Sequence, residues 1–124
     1  MNYNIFVIDN FKKEAKPLLK KYPSLRNELE ALQEQLLENP RMGVKITENM
    51  YKIRLAVKSK GRGKSGGMRV LTYVWEILTK LEEDEDKSET TIFLAAIYDK
   101  SEEENISNKD IERIIDEIKD LTDE

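Results

Sequence analysis

The chain has no cysteine and no histidine. Without cysteine there is no disulfide and no thiolate metal site, so nothing in the residues argues for an oxidising compartment. Without histidine the chain lacks the commonest general base and the commonest metal ligand, which excludes zinc hydrolases and histidine-dependent ribonucleases. Long apolar runs are missing too. Ile5-Phe6-Val7-Ile8 is too short for a signal-peptide core or a membrane span, and no basic segment precedes it. The expectation is a cytoplasmic, soluble protein without membrane contact, and no cofactor or metal is called for. Glycine is scarce and clustered: four of the five lie between residues 61 and 67.

At 124 residues the length fits one domain, 1–124, large enough to bury a core without staples. The net charge of −4 hides a strong asymmetry. Residues 1–48 carry eight basic and seven acidic side chains, residues 49–75 seven basic and no acidic ones, and residues 76–124 six basic and eighteen acidic. A cationic block on an otherwise acidic chain suggests a polyanion-binding face, nucleic acid above all, kept apart from a repelling remainder. The densest part, KSKGRGKSGGMR at 58–69, is not a phosphate-binding P-loop. Lys58 stands where that motif needs glycine, and the run Met68–Trp75 that follows reads as a strand rather than a helix.

Tyr3–Ile8 reads as a short strand, and Asp9 or Asn10 as the cap of a helix through Phe11, Ala15, Leu18, Leu19 and Tyr22, kinked or started late by Pro17. Leu25, Leu29, Leu32 and Leu36 repeat at helical spacing between Ser24, a candidate N-cap, and the stop Asn39-Pro40. Tyr51, Ile53, Leu55 and Val57 then alternate with Lys52, Arg54, Ala56 and Lys58, giving a strand with one apolar and one cationic face. A second strand follows the glycines. The acidic stretch 81–89 is expected to be a solvated hairpin loop, and TTIFLAAIY a central strand buried on both faces. Ser107, with Asp110 in a capping box, opens a last helix bearing Ile111, Ile114, Ile115 and Ile118. The order β-α-α-β-β-β-α predicts an α+β fold: a mostly antiparallel, twisted sheet with the helices packed on one face and the cations on the other.

Three stretches together, KKYPSLRNELEALQEQLLENPRMG, YKIRLAVKSKGRGKSGGMRVLTYV and IYDKSEEENISNKDIERII, resemble the RelE/ParE toxin superfamily in its HigB-like branch. The most specific part is Lys-x-Arg on one strand, Gly-Lys-Ser-Gly-Gly-x-Arg at the head of the next, and an Ile-Tyr-x-Lys strand end downstream. The resemblance implies a RelE-like microbial RNase fold and a type II toxin–antitoxin toxin that cuts messenger RNA on the ribosome, held inactive by a cognate antitoxin protein. DNA-operator contact would come only through that antitoxin. Members of the ParE branch poison DNA gyrase instead. A non-catalytic or degenerate protein acting by gyrase inhibition or antitoxin-mediated operator regulation is therefore the alternative. The start of the last helix reads Asn105-Ile106-Ser107, without the tyrosine some relatives carry there.

Metal-free RNA cleavage needs a base near the ribose 2′-OH, cations around the phosphorane and an acid for the leaving oxygen. Arg54 cannot be the base, since guanidinium keeps its proton. Lys52 can be, if neighbouring cations and partial burial favour its neutral form, and the two residues share one strand face as groups on one phosphate must. The resemblance implies that Arg69 steadies the phosphate and makes Lys100 the candidate acid. Tyr73 and Tyr98 are candidate base-stacking residues, while Lys58, Lys60, Arg62 and Lys64 are read as RNA backbone grips whose intervening glycines allow close approach.

Overall fold

The computed structural model describes residues 2–60, 67–81, 85–101 and 105–122, with backbone alone at residue 2 and at 78–81 and 85–88. The elements are β1 (Asn2–Val7), α1 (Asp9–Lys21), α2 (Leu25–Glu38), β2 (Val44–Thr47), β3 (Met50–Leu55), a 3₁₀ turn at Lys58–Lys60, β4 (Met68–Leu81), β5 (Glu85–Asp99) and α3 (Asn108–Thr122). They form an α+β fold on one five-stranded sheet in the order β1-β5-β4-β3-β2. β1 runs parallel to β5, and every other pairing is antiparallel. Among the described residues no helix is long and apolar enough to cross a membrane.

The expected order lacked one strand. β2 is only four residues, too short for alternation to declare itself, and it exists because Glu48-Asn49 turns it back onto β3. Asn49 takes the left-handed conformation there, with φ of 68°, which asparagine tolerates better than most residues. The acidic hairpin also differs from the expected loop over 81–89. Leu81 pairs with Glu85, so β4 and β5 continue as a ribbon and only residues 82–84 lie outside what is described. Among the described residues no third strand pairs with that ribbon beyond the ends of β1 and β3.

β5 is the central strand its composition suggests, flanked by β1 and β4 and buried from Ile92 through Asp99. Side chains of a strand alternate between faces, and opposed residues of paired strands share one. The first face therefore carries Ile92, Leu94 and Ile97 of β5, Val70 and Thr72 of β4, and Tyr51 and Ile53 of β3. α1 and α2 serve this face, since Tyr22 after α1 bonds Asp99 of it at 3.1 Å and Arg41 after α2 bonds Tyr51 of it at 3.2 Å. The second face is not the open surface expected. Leu71, Phe93 and Ala96 on it are buried, and the stripe Ile114/Ile118 of α3 joins the same core.

Local signals mark helix ends unevenly. Ser107 Oγ accepts the Asp110 N–H at 3.1 Å, as a cap should. α1 runs unbroken from Asp9 through Pro17, and neither Asp9 nor Asn10 caps it. Asn10 lies within the first turn and is buried. Its Nδ2 donates to Ala95 O at 2.9 Å and Glu14 Oε1 at 3.1 Å, and its Oδ1 accepts from Arg113 Nη1 at 3.2 Å. Glu14 in turn accepts the Ile97 N–H at 3.1 Å. α1 thereby satisfies the edge of β5 that β1, ending at Val7, leaves uncovered, and Asn10 joins α1, β5 and α3. Asn10→Ala should lower stability by about 2–3 kcal/mol in urea unfolding, because it strands the buried Ala95 carbonyl and frees Arg113. A loss below about 0.5 kcal/mol would show that this junction carries no weight.

Candidate functional site

The alternation of β3 sends Tyr51 and Ile53 to the helix side and Lys52 and Arg54 to the other. Register then decides what stands beside them. Arg54 is opposite Arg69, and Arg69 is opposite Tyr98, so one rung across three strands reads Arg-Arg-Tyr. The next rung is Lys52-Leu71-Ala96, and the one after it Met50-Tyr73-Phe93. Five of the ten residues singled out from the sequence, Lys52, Arg54, Arg69, Tyr73 and Tyr98, thus share one face. The three rungs cover about 10 Å across the strands and about 14 Å along them.

Like charges directly opposed on neighbouring strands work against a sheet's stability, and the paired positions of these rungs hold no acidic residue. Among the described residues neither Lys52 nor Arg54 has a side-chain ion pair or hydrogen bond. Arg54 is exposed and Lys52 half-buried. Arg69 is different: it is only 4% exposed, and its Nη1 donates to Met68 O at 3.2 Å. Tyr98 is buried beside it, which favours packing over base stacking, whereas Tyr73 is half-buried. Among the described residues of these rungs the cations at the surface are therefore Lys52 and Arg54, with Arg69 behind them.

Lys100 follows β5 directly. Its N–H donates to Gly67 O at 3.1 Å, which ties the end of β5 to the head of β4. Gly67 itself answers to packing rather than to a phosphate: a Cβ there would stand 2.2 Å from the Leu55 carbonyl oxygen. Lys58 is exposed, and its N–H donates to Glu28 Oε2 at 2.7 Å. Ser24, expected to cap α2, instead places its hydroxyl 2.8 Å from that of Ser59 and accepts the Ser59 N–H at 3.0 Å. The start of α2 thus clamps the turn that opens the basic stretch. Arg62 and Lys64 lie outside the described residues.

Lys60 corrects the expectation of a backbone grip. Its Nζ is 2.8 and 3.0 Å from the two carboxylate oxygens of Asp99, with side-chain exposures of 7% and 1%. Tyr22 completes the group, its hydroxyl donating to Asp99 Oδ2 at 3.1 Å and its ring 5.1 Å from the Lys60 ammonium. Ser101 adds its N–H and hydroxyl to Asp99 Oδ1 at 3.0 and 2.7 Å. An ammonium so engaged and so buried is not available to RNA. Asp99 and Tyr22 were missed from the sequence; the available signal was a lone acid at the end of an apolar strand, which needs a counter-ion if it is buried.

Among the described residues no group of acidic side chains is placed to hold a metal ion. What the face offers chemically is one lysine and one arginine on a shared strand face with a guanidinium beneath, an arrangement that can receive a single anionic group. No family model matches the chain, no curated protein resembles it closely enough to count as a relative, and no solved structure matches it.

Burial by itself would raise the Asp99 carboxyl, but the hydrogen bonds from Lys60, Ser101 and Tyr22 outweigh it and bring it down to about 2 from 3.8. A carboxyl lowered in the folded state adds stability that is present above pH 4 and is lost as pH falls toward 2. The difference corresponds to about 2 kcal/mol. Unfolding titrations between pH 5 and 2 should show that loss in the wild type and a shallower decline in Asp99→Asn. At pH 7 the same variant should be less stable by about 3–5 kcal/mol, because it leaves the Lys60 charge buried without its partner. Equal acid sensitivity in both proteins would remove this role for Asp99.

Proposed function

We propose that the chain is the toxin of a type II toxin–antitoxin system, a HigB-like member of the RelE/ParE superfamily with a RelE-like microbial RNase fold. On this reading it is a cytoplasmic, ribosome-dependent endoribonuclease. The observation that carries the reading is the rung Arg54-Arg69-Tyr98 with Lys52 one rung away, which gathers three cations on one face of two neighbouring strands. The succession of a strand, two helices, a mostly antiparallel set of strands and a last helix is compatible with the α+β class that the resemblance implies.

In the proposed reaction the ribose 2′-oxygen attacks the adjacent phosphorus, forming a 2′,3′-cyclic phosphate, while the bond to the 5′-oxygen breaks. Lys52 takes the 2′-OH proton, Arg54 and Arg69 hold the phosphoryl oxygens, and Lys100 returns a proton to the leaving oxygen. Tyr73 offers a ring to a neighbouring base. The site has few groups, so the ribosome would supply the in-line placement of the message. A cognate antitoxin covering Lys52 and Arg54 would block RNA directly and could recruit the complex to an operator.

The burial of Arg69 favours a second reading, in which the face is no longer catalytic and the protein acts by binding another, inhibiting gyrase or serving operator regulation through its antitoxin. The experiment is cleavage of messenger RNA on programmed ribosomes. Lys52→Ala and Arg54→Ala, both surface changes, should each slow cleavage by about 10²–10⁴-fold with unchanged thermal unfolding. Product ends should be a cyclic phosphate and a 5′-OH. Intact messages together with inhibited supercoiling would overturn the nuclease reading in favour of the second.

A further inference from the structure

The two edges of the sheet are guarded differently. β2, at one edge, is four residues long, carries Lys45 and breaks register between Lys45 and Thr47, each a device that discourages a further strand from pairing. β1, at the other edge, has no such guard. Its sequence NYNIFV holds no charge, no proline and no glycine, and its pairing with β5 runs without a break. The Ile8 N–H donates to Leu94 O at 3.3 Å, so Asn4 and Phe6 turn their backbone groups toward β5, and Ile5 and Val7 turn theirs away from it. Among the described residues no hydrogen bond reaches those outward groups of Ile5 or Val7. Phe6 lies on the sheet face that carries Phe93; it meets that ring edge-on at 5.7 Å and stays 47% exposed.

Charge differs between the ends of β1. Lys12, Lys16 and Lys20 of α1 and Arg26 of α2 line a cleft beside Val7 that no acid lines. Glu30 and Glu34, further along α2, line a second cleft beside Tyr3, Asn4 and Ile5 that no cation lines. α2 therefore runs against the direction of β1, with its basic start at one end of the strand and its acids toward the other. Arg26, Glu30 and Glu34 are exposed, and among the described residues none of them is in an ion pair.

We infer that β1 pairs antiparallel with β1 of a second copy of this chain, joining two five-stranded sheets into one across a twofold axis. The outward backbone groups set the register: Ile5 stands opposite Ile5 of the second copy, which brings the largest number of outward-turned residues of the strand face to face. Asn4 is then opposite Phe6, and the Phe6 rings of the two copies are diagonal neighbours, a spacing that aromatic side chains span. The twofold axis also exchanges the ends of the strand, so the basic end of each β1 lies beside the acidic end of the other and Arg26 comes toward Glu30 and Glu34. That complementarity selects the occupant. A strand of one charge sign would be favoured at one end of β1 and repelled at the other, whereas a second copy suits both ends. Each chain has one unguarded edge, so assembly closes at two. β5 and β4 stand between β1 and the strand of Lys52 and Arg54, and the inference is independent of the nuclease reading.

The test is sedimentation equilibrium of the full chain from about 1 μM to about 1 mM, with amide exchange followed by NMR at both ends of that range. Mass should rise from one chain to two and no further, and the dimer should weaken as salt is raised. The amides of Ile5 and Val7 should exchange more slowly at high concentration, and those of β2 should not change. Arg26→Glu and Glu34→Arg each set like charges together and should weaken the dimer by about tenfold, while the double variant, which restores opposite charges, should return to within about threefold of the wild type. Both positions are exposed, so unfolding of the dilute monomer should stay the same in all three. A single-chain mass at every concentration, which would leave the edge to a strand of another protein, would overturn the inference. Growth beyond two chains, slowed exchange in β2 or α3 instead of β1, or a double variant as weak as the single ones would overturn it equally.

Discussion

The ion pair between Lys60 and Asp99 holds together three chain ends that sequence separation alone would leave apart. Lys60 closes the turn after β3, Asp99 ends β5, and Tyr22 ends α1; their polar atoms meet within about 3 Å. Two opposite charges taken out of water gain little unless every lone pair is used, and here Lys60, Tyr22 and Ser101 together surround the carboxylate. The consequence is one of position. Asp99 stands opposite Met68, so holding Asp99 in place helps to seat the head of β4, and with it the rung that sets Arg69 between Arg54 and Tyr98.

The same interaction explains how an acidic chain keeps a cationic block. Of the seven cations between residues 49 and 75, Lys60 turns inward to a counter-ion and Arg69 is buried in the sheet. Lys52 and Arg54 remain toward water, held by a strand whose opposite face is core. Among the described residues no acid of the C-terminal portion occupies a paired position in either of the cationic rungs. Charge is thus divided by strand face rather than by segment alone, and the helix side carries a second cationic row that the sheet's residues do not share.

Much of the architecture was legible because its signals are local. Leu25, Leu29, Leu32 and Leu36 declare α2 and its buried face, and TTIFLAAIY declares a strand covered on both sides. The strand face shared by Lys52 and Arg54 follows from their spacing, and the register adds Arg69, Tyr73 and Tyr98. What escaped depends on partners distant in the chain. Lys60 is indistinguishable from Lys58 until Asp99 is placed beside it, and Ser24 reads as a cap until Ser59 arrives. β2 has too few residues to show a period, and Glu85 and Asp86 look like loop because a run of charges carries no apolar pattern from which a strand could be read.

The most direct measurement of the central claim is a double-mutant cycle on the buried pair, comparing Lys60→Met, Asp99→Leu and the double variant in denaturant unfolding at pH 7. Each single change should cost about 3–5 kcal/mol by stranding one charge, and the double variant should recover most of that loss, a coupling of about 3 kcal/mol. Changes that add within about 0.5 kcal/mol would mean that the two residues do not meet in the folded protein, and the placement of the cationic rung would lose its support.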